Sequence, residues 1–194
     1  MRRTVPLVVG SLALVLLGGC GGGGRKPVAD PRVGRAFYLC CNLRYDPQKP
    51  EIEDGLAAGS AMIPFATRVE IQKVTKDSVQ FEAAGRPPIT LTYDRGDSAV
   101  PFDQHLSRLF VTEDPRLKLK KVPARRVRLI ERGVAAPGMT REQVIMALGY
   151  PPADRTPSLE ASTWNYGSGV VVNFGGMQVT SVRQGSGSKS RPGR

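Results

Sequence analysis

The sequence predicts an α+β protein in which a small β-rich module precedes a second module that combines a helix with three short strands. Three observations point there. From residue 36 to 93, apolar and polar residues alternate in short runs separated by turn residues, the period of half-buried strands. Around residues 101–110 the spacing changes to that of a helix. From Thr140 onward one well-capped helix is followed by three strand-like runs joined through glycines. The chain of 194 residues suits one medium domain or two small ones. With Gly at 22, Pro at 16 and aromatics at 6%, its core must be modest and interrupted by turns.

The N-terminus reads as a leader. Arg2 and Arg3 precede an apolar run from Val5 to Leu17, which is shorter than the roughly twenty residues of a membrane span and fits a secretory segment. The run ends in Leu17-Gly18-Gly19-Cys20, which resembles the lipobox of bacterial lipoproteins. That resemblance implies removal of residues 1–19, acylation of Cys20, and attachment to membrane lipid through it. Gly21 after the acylated residue, where an inner-membrane protein of this kind has Asp, implies the outer membrane, facing the periplasm. Residues 20–35 are expected to be a tether, with Arg25 and Lys26 near lipid phosphates.

In the first module, Ala36 to Arg44 reads as a short strand and Asp46 to Gly59, with two prolines and two glycines among charges, as irregular. Arg68–Val74, Val79–Glu82 and Thr90–Tyr93 read as three strands of a meander separated by turns. A meander buries itself only against another layer. Phe102, Leu106, Leu109 and Phe110, one helical stripe beginning after Pro101, supply it, and Asp114-Pro115 is expected to end that helix. The stretch Ile63-Pro64-x-x-Thr67-x-Val69-x-Ile71 resembles the entry strand of SH3-like barrels, so residues 36–122 form either an SH3-like module or a β-rich unit of another class.

In the second module a helix begins at Thr140. Thr140 and Gln143 have the spacing of a capping box, in which each side chain satisfies an orphan amide of the first turn. Val144, Ala147 and Leu148 face inward, Gly149 stops the helix, and Pro151 and Pro152 prevent its continuation. Thr163–Tyr166, Val170–Phe174 and Met177–Val182 follow as strands, the last two joined by a Gly175-Gly176 turn. Trp164 and Tyr166 share a strand face and read as sheet core. Gly138-Met139-Thr140, Leu148-Gly149-x-Pro151, Trp164-x-Tyr166 and the closing hairpin together resemble the SmpA/OmlA, or BamE-like, lipoprotein domain, over residues 124–184. The resemblance implies two helices on a three-stranded antiparallel sheet and a non-enzymatic role near the assembly of outer-membrane β-barrels. The first helix it implies is Ala124–Gly133, short and basic with Val127, Ile130 and Val134 as a thin apolar stripe.

The chemistry-bearing residues are few. Lys and Arg number 28 against 17 acids, a net charge of +11. Such a balance favours anionic surroundings, and for an exported protein those are lipid and envelope polymers rather than nucleic acid. The densest run holds Arg116, Lys118, Lys120, Lys121, Arg125, Arg126, Arg128 and Arg132, against Glu131 alone. It is either a solvated face or a docking surface, with Lys118, Lys120, Lys121, Arg125, Arg126 and Arg128 as the candidate residues. His105, the only histidine, excludes a multi-histidine metal site. Cys40-Cys41 sit on a predicted strand, whose alternation sends one thiol inward and the other outward. No metal, cofactor or catalytic residue is expected. The polar tail of residues 185–194 lacks apolar periodicity and is expected to be disordered.

These readings converge on an outer-membrane lipoprotein scaffold that supports outer-membrane protein assembly or envelope integrity, its partners being assembly proteins or other envelope components. The alternatives are a cell-wall or ligand-binding module carried by the SH3-like half, a periplasmic inhibitor, or a thiol redox protein using Cys40 and Cys41.

Overall fold

The computed structural model describes residues 30–49, 51–53, 61–93, 100–166 and 169–184. The expected leader, Cys20, the first ten residues of the tether and the tail 185–194 lie outside the described residues. The architecture is mixed α+β, with three α-helices, a six-stranded sheet, a three-stranded sheet and a two-stranded ribbon among the described residues.

The large sheet gathers β1 (Ala36–Leu39), β3 (Glu51–Glu53), β5 (Arg68–Val74), β6 (Ser78–Ala83), β7 (Ile89–Thr92) and β8 (Phe110–Val111) in the order β3-β7-β6-β5-β1-β8. The meander β5-β6-β7 is antiparallel, as its short connections demand, and its alternation sends Val69, Ile71, Val79, Phe81, Ile89 and Leu91 to one buried face. The helix α1 (Phe102–Leu109) covers that face with Leu106 and Leu109. Phe110, the residue after it, packs edge-on to Phe37 and Phe81 with ring centroids 6.4 and 5.3 Å away.

Two expectations are corrected here. The stretch Asp46–Gly59 is not wholly irregular, because Glu51–Glu53 pairs in parallel with β7 and buries Ile52. Helix α1 ends at Leu109, before Asp114-Pro115. Phe110 and Val111 instead join β1, and Pro115 opens a 3-10 helix, Pro115–Leu119, that Asp114 caps through the Arg116 amide.

In the other half, α2 (Ala124–Glu131) and α3 (Arg141–Leu148) pack together over the antiparallel sheet β11-β10-β9, formed by β9 (Thr163–Asn165), β10 (Val170–Gly175) and β11 (Gln178–Gln184). The capping box forms: the Gln143 amide donates to Thr140 Oγ1 at 3.3 Å, and the Thr140 amide to Gln143 Oε1 at 3.2 Å. Gly149 ends α3 at φ +83°, a conformation L side chains avoid. Met139, Val144, Trp164 and Val172 form the centre of this core together with Ile130 from α2. The Tyr166 hydroxyl donates to the Gly149 carbonyl at 3.0 Å, fixing the helix end to the sheet.

The hairpin between β10 and β11 also differs from its expected form. Gly175 pairs with Gln178, so the two loop residues are Gly176, at φ +60°, and Met177. A Cβ on Gly175 would come within 2.7 Å of Thr180 Cγ2, so a side chain there requires the exposed Thr180 to shift.

Between the halves, the expected strand from Ala36 to Arg44 breaks after Leu39 and resumes as β2 (Leu43–Tyr45), which pairs with β4 (Ala61–Ile63). The break has a cause outside the segment. The Cys40 amide donates to the Leu109 carbonyl of α1, and the Asn42 amide to the Met146 carbonyl of α3. Residues two apart are claimed by different halves, and strand alternation is lost. Cys40 and Cys41 are therefore both buried, contrary to the one-in, one-out expectation. Asn42 itself is buried at the junction. Its Nδ2 donates to the carbonyls of Ile130 (2.7 Å) and Ala147 (3.0 Å), and its Oδ1 accepts from the Phe65 amide (2.8 Å). Phe65 and Ala66 belong to the core of the helical half, and Ile145 packs against both cores. Residues 30–35, expected as the end of the tether, lie on the large sheet: the Gly34 amide donates to Ile71 and the Ile71 amide to Arg35.

Candidate functional site

Two surface features stand out, one charged and one concave. The charged one is the outside of α2. Ile130 is fully buried and Val127 and Leu129 lie against the core, so the opposite face is left to Arg125, Arg128 and, at the helix end, Arg132. Their i, i+3, i+7 spacing makes one stripe. Lys120 and Lys121 precede it, also exposed. Among the described residues none of Lys120, Lys121, Arg125, Arg126, Arg128 and Arg132 has an ion-pair partner. The sequence run is thus split by the fold. Arg116 is bound to Asp114 at 2.7 Å, and Lys118 to Glu142 of α3 at 2.6 Å, so both stand apart from the unpaired group.

Arg126 is held differently from its neighbours. It is half-buried, and its guanidinium lies against Gly138, whose φ is +82°; an added Cβ there would sit 3.1 Å from Arg126 Nη2. Gly138 of the Gly138-Met139-Thr140 motif therefore has two reasons to lack a side chain. Together with Arg125, Pro123, Leu129, Ala136 and Pro137, Arg126 lines a shallow hollow of about 360 Å³. Pro123, Leu129, Ala136 and Pro137 were not candidates from the sequence. The only signal they offered was a pair of prolines bracketing a basic helix.

The concave feature is a cleft of about 510 Å³ between the halves. Val111 and Leu117 line it from one side, and Ile145, Tyr150 and Leu159 from the other. The Lys118–Glu142 pair spans it, and the Arg108 guanidinium sits 5.4 Å over the Tyr150 ring. Burial pushes the Tyr150 hydroxyl up to about 12 and the Cys40 thiol, at the floor, well above its ordinary value; Cys41 beside it adds to the latter. A thiol so placed stays protonated and is a poor nucleophile.

The remaining residues singled out in the sequence are structural in placement. Met139 and Trp164 are fully buried, Pro151 and Tyr166 are buried, Thr140 is the cap, and Gly149 ends α3. The indole N–H of Trp164 has no acceptor among the described residues. His105 stacks on Tyr93 with ring centroids 4.5 Å apart. Among the described residues no helix is long and apolar enough to cross a membrane.

Comparison of the chain with models of known protein families, with characterised proteins and with solved structures gives no match.

Proposed function

We propose that the chain is a non-enzymatic lipoprotein scaffold of the bacterial outer membrane, anchored by acylated Cys20 on the periplasmic side and supporting outer-membrane protein assembly or envelope integrity. In this reading residues 124–184 are a BamE-like domain and residues 36–122 an SH3-like one. The packing of α2 and α3 on the sheet β11-β10-β9, with the capping box at Thr140, supports the first assignment. The observation that carries the functional reading is the unpaired cationic face of α2. Clustered like charges repel and destabilise a small fold, while an anionic partner turns the same field into attraction. The scaffold meets that partner through Arg125, Arg126 and Arg128 while the lipid holds it at the membrane.

The test is crosslinking in intact envelopes with the full chain and with its Arg125→Gln, Arg126→Gln, Arg128→Gln variant. Recovery of barrel-assembly subunits by the first and their loss from the second is expected. Recovery of the same envelope proteins by both chains, or of none by either, overturns the reading. The cleft of about 510 Å³ favours a second reading, a cell-wall or ligand-binding module, because it falls in the size range of ligand sites. Enrichment of the chain on purified peptidoglycan, unaffected by the triple substitution, would select it.

A further inference from the structure

We infer that the hollow beside α2 docks an acidic protein segment that seats an apolar side chain between Arg125 and Arg126. The inference rests on the docking reading of α2 and names the kind of partner that face fits. Two properties coincide at the hollow. Its walls, Pro123, Leu129, Ala136 and Pro137, are apolar, and its rim carries guanidiniums that no acid among the described residues neutralises. A planar guanidinium offers two parallel N–H donors to a carboxylate, so the rim fits Asp or Glu on either side of an inserted Leu or Phe. Gly138 fixes one half of this arrangement by leaving room for the Arg126 guanidinium, whose Nη2 would lie 3.1 Å from a Cβ there.

The shape separates a protein partner from a bilayer. A helix that docks on lipid does so with apolar side chains that project into the acyl boundary. Among the described residues the large apolar side chains that project are Val33, Leu117 and Met177, none of them on α2 or in the hollow. The apolar surface beside Arg125 and Arg126 lines a hollow instead, with Leu129 and Ala136 half-buried and Pro123 and Pro137 exposed at its edge. Headgroup phosphates reach the cations of such a face but leave the hollow unfilled, whereas a knob on a protein segment fills it.

The test measures binding of a fluorescein-labelled peptide, Glu-Asp-Glu-Leu-Phe-Glu-Asp-Glu, to the purified full chain by anisotropy. A second peptide carries Ser-Ser in place of Leu-Phe, and vesicles with and without phosphatidylglycerol serve as competitors. The acidic apolar peptide should bind at least tenfold more tightly than the Ser-Ser peptide. Its affinity should fall about tenfold for each of Arg125→Gln and Arg126→Gln, the lower end for a hydrogen bond to a charged group. It should also fall with added salt. The variants Arg125→Lys and Arg126→Lys, which keep charge and lose the fork, should bind with intermediate affinity. Equal binding of the two peptides, or complete displacement of the first by anionic vesicles at lipid levels where the Ser-Ser peptide is displaced equally, overturns the inference. Neither outcome touches the scaffold reading, which stands or falls on the envelope crosslinking.

Discussion

Replacing Asn42 with Ala removes the crosspiece between the two halves and leaves two buried backbone groups, the carbonyl of Ala147 and the amide of Phe65, without their partner, while the Ile130 carbonyl keeps the Gly133 amide at 2.9 Å. Each buried polar group left unpaired costs about 1–3 kcal/mol. Entry of a water molecule into the vacated space recovers part of that, so the expected loss is about 2–4 kcal/mol. Against a total of about 5–15 kcal/mol for a domain, this is a large fraction. The measurement is guanidinium denaturation followed by far-UV circular dichroism and by the fluorescence of Trp164, the only tryptophan, which reports on the helical half. Asn42→Asp is the informative control. It keeps an acceptor for the Phe65 amide but sets a carboxylate oxygen against two carbonyls at 2.7 and 3.0 Å, so it should be at least as destabilising at neutral pH. A loss below about 1 kcal/mol for Asn42→Ala, with coincident transitions from both probes, would refute the reasoning.

Trp164→Ala should cost about 3–5 kcal/mol, the range for removing a large aromatic from a core. Trp164→Phe should cost clearly less, because it keeps a ring against Phe174 and removes an indole N–H with no acceptor among the described residues; thermal melts of the two variants with equal midpoints would contradict this. Alkaline pH should destabilise the fold. Tyr150 keeps its proton up to about 12 when folded, and the unfolded chain releases it near the ordinary tyrosine value of about 10. Stability attached to this group is thus complete below about pH 10 and is lost as pH rises towards about 12. Tyr166, raised by its own burial, acts in the same direction. Tyr150→Phe should reduce the decline in denaturant midpoint between pH 9 and pH 11.5, and an unchanged slope would show that the Tyr150 ring is solvated.

What the sequence disclosed about this fold was what depends on neighbours along the chain. The capping box at Thr140 and Gln143 needs only four residues, and it was readable. So was the alternation of β5, β6 and β7, since each strand presents one buried face. The break at Cys40–Asn42 was not readable, because the groups that pull the strand apart come from Leu109, Ile130, Met146 and Ala147. The single apolar residue of Glu51–Glu53 is too little pattern to announce a parallel edge strand. The hairpin loop falls one residue later than the Gly175-Gly176 pair suggests, because the pairing of Gly175 with Gln178 is a cross-strand fact. The cationic run was visible as composition. Its division into paired Arg116 and Lys118 and unpaired α2 residues required the positions of Asp114 and Glu142.

The junction at Asn42 also sets a schedule for making this protein. Its side chain reaches partners 88 and 105 residues further along the chain. Synthesis proceeds at about 5–20 residues per second, so roughly 4 to 16 s separate the appearance of Ala66 from that of Ala147. Through that interval Phe65 and Ala66 belong to a core whose helices and sheet have yet to be made. Closing so wide a loop adds entropy cost only logarithmically, but it postpones the reward, and slow long-range pairing leaves apolar surface uncovered. A polypeptide that stops before α3 therefore leaves Phe65 and Ala66 without the core they pack in.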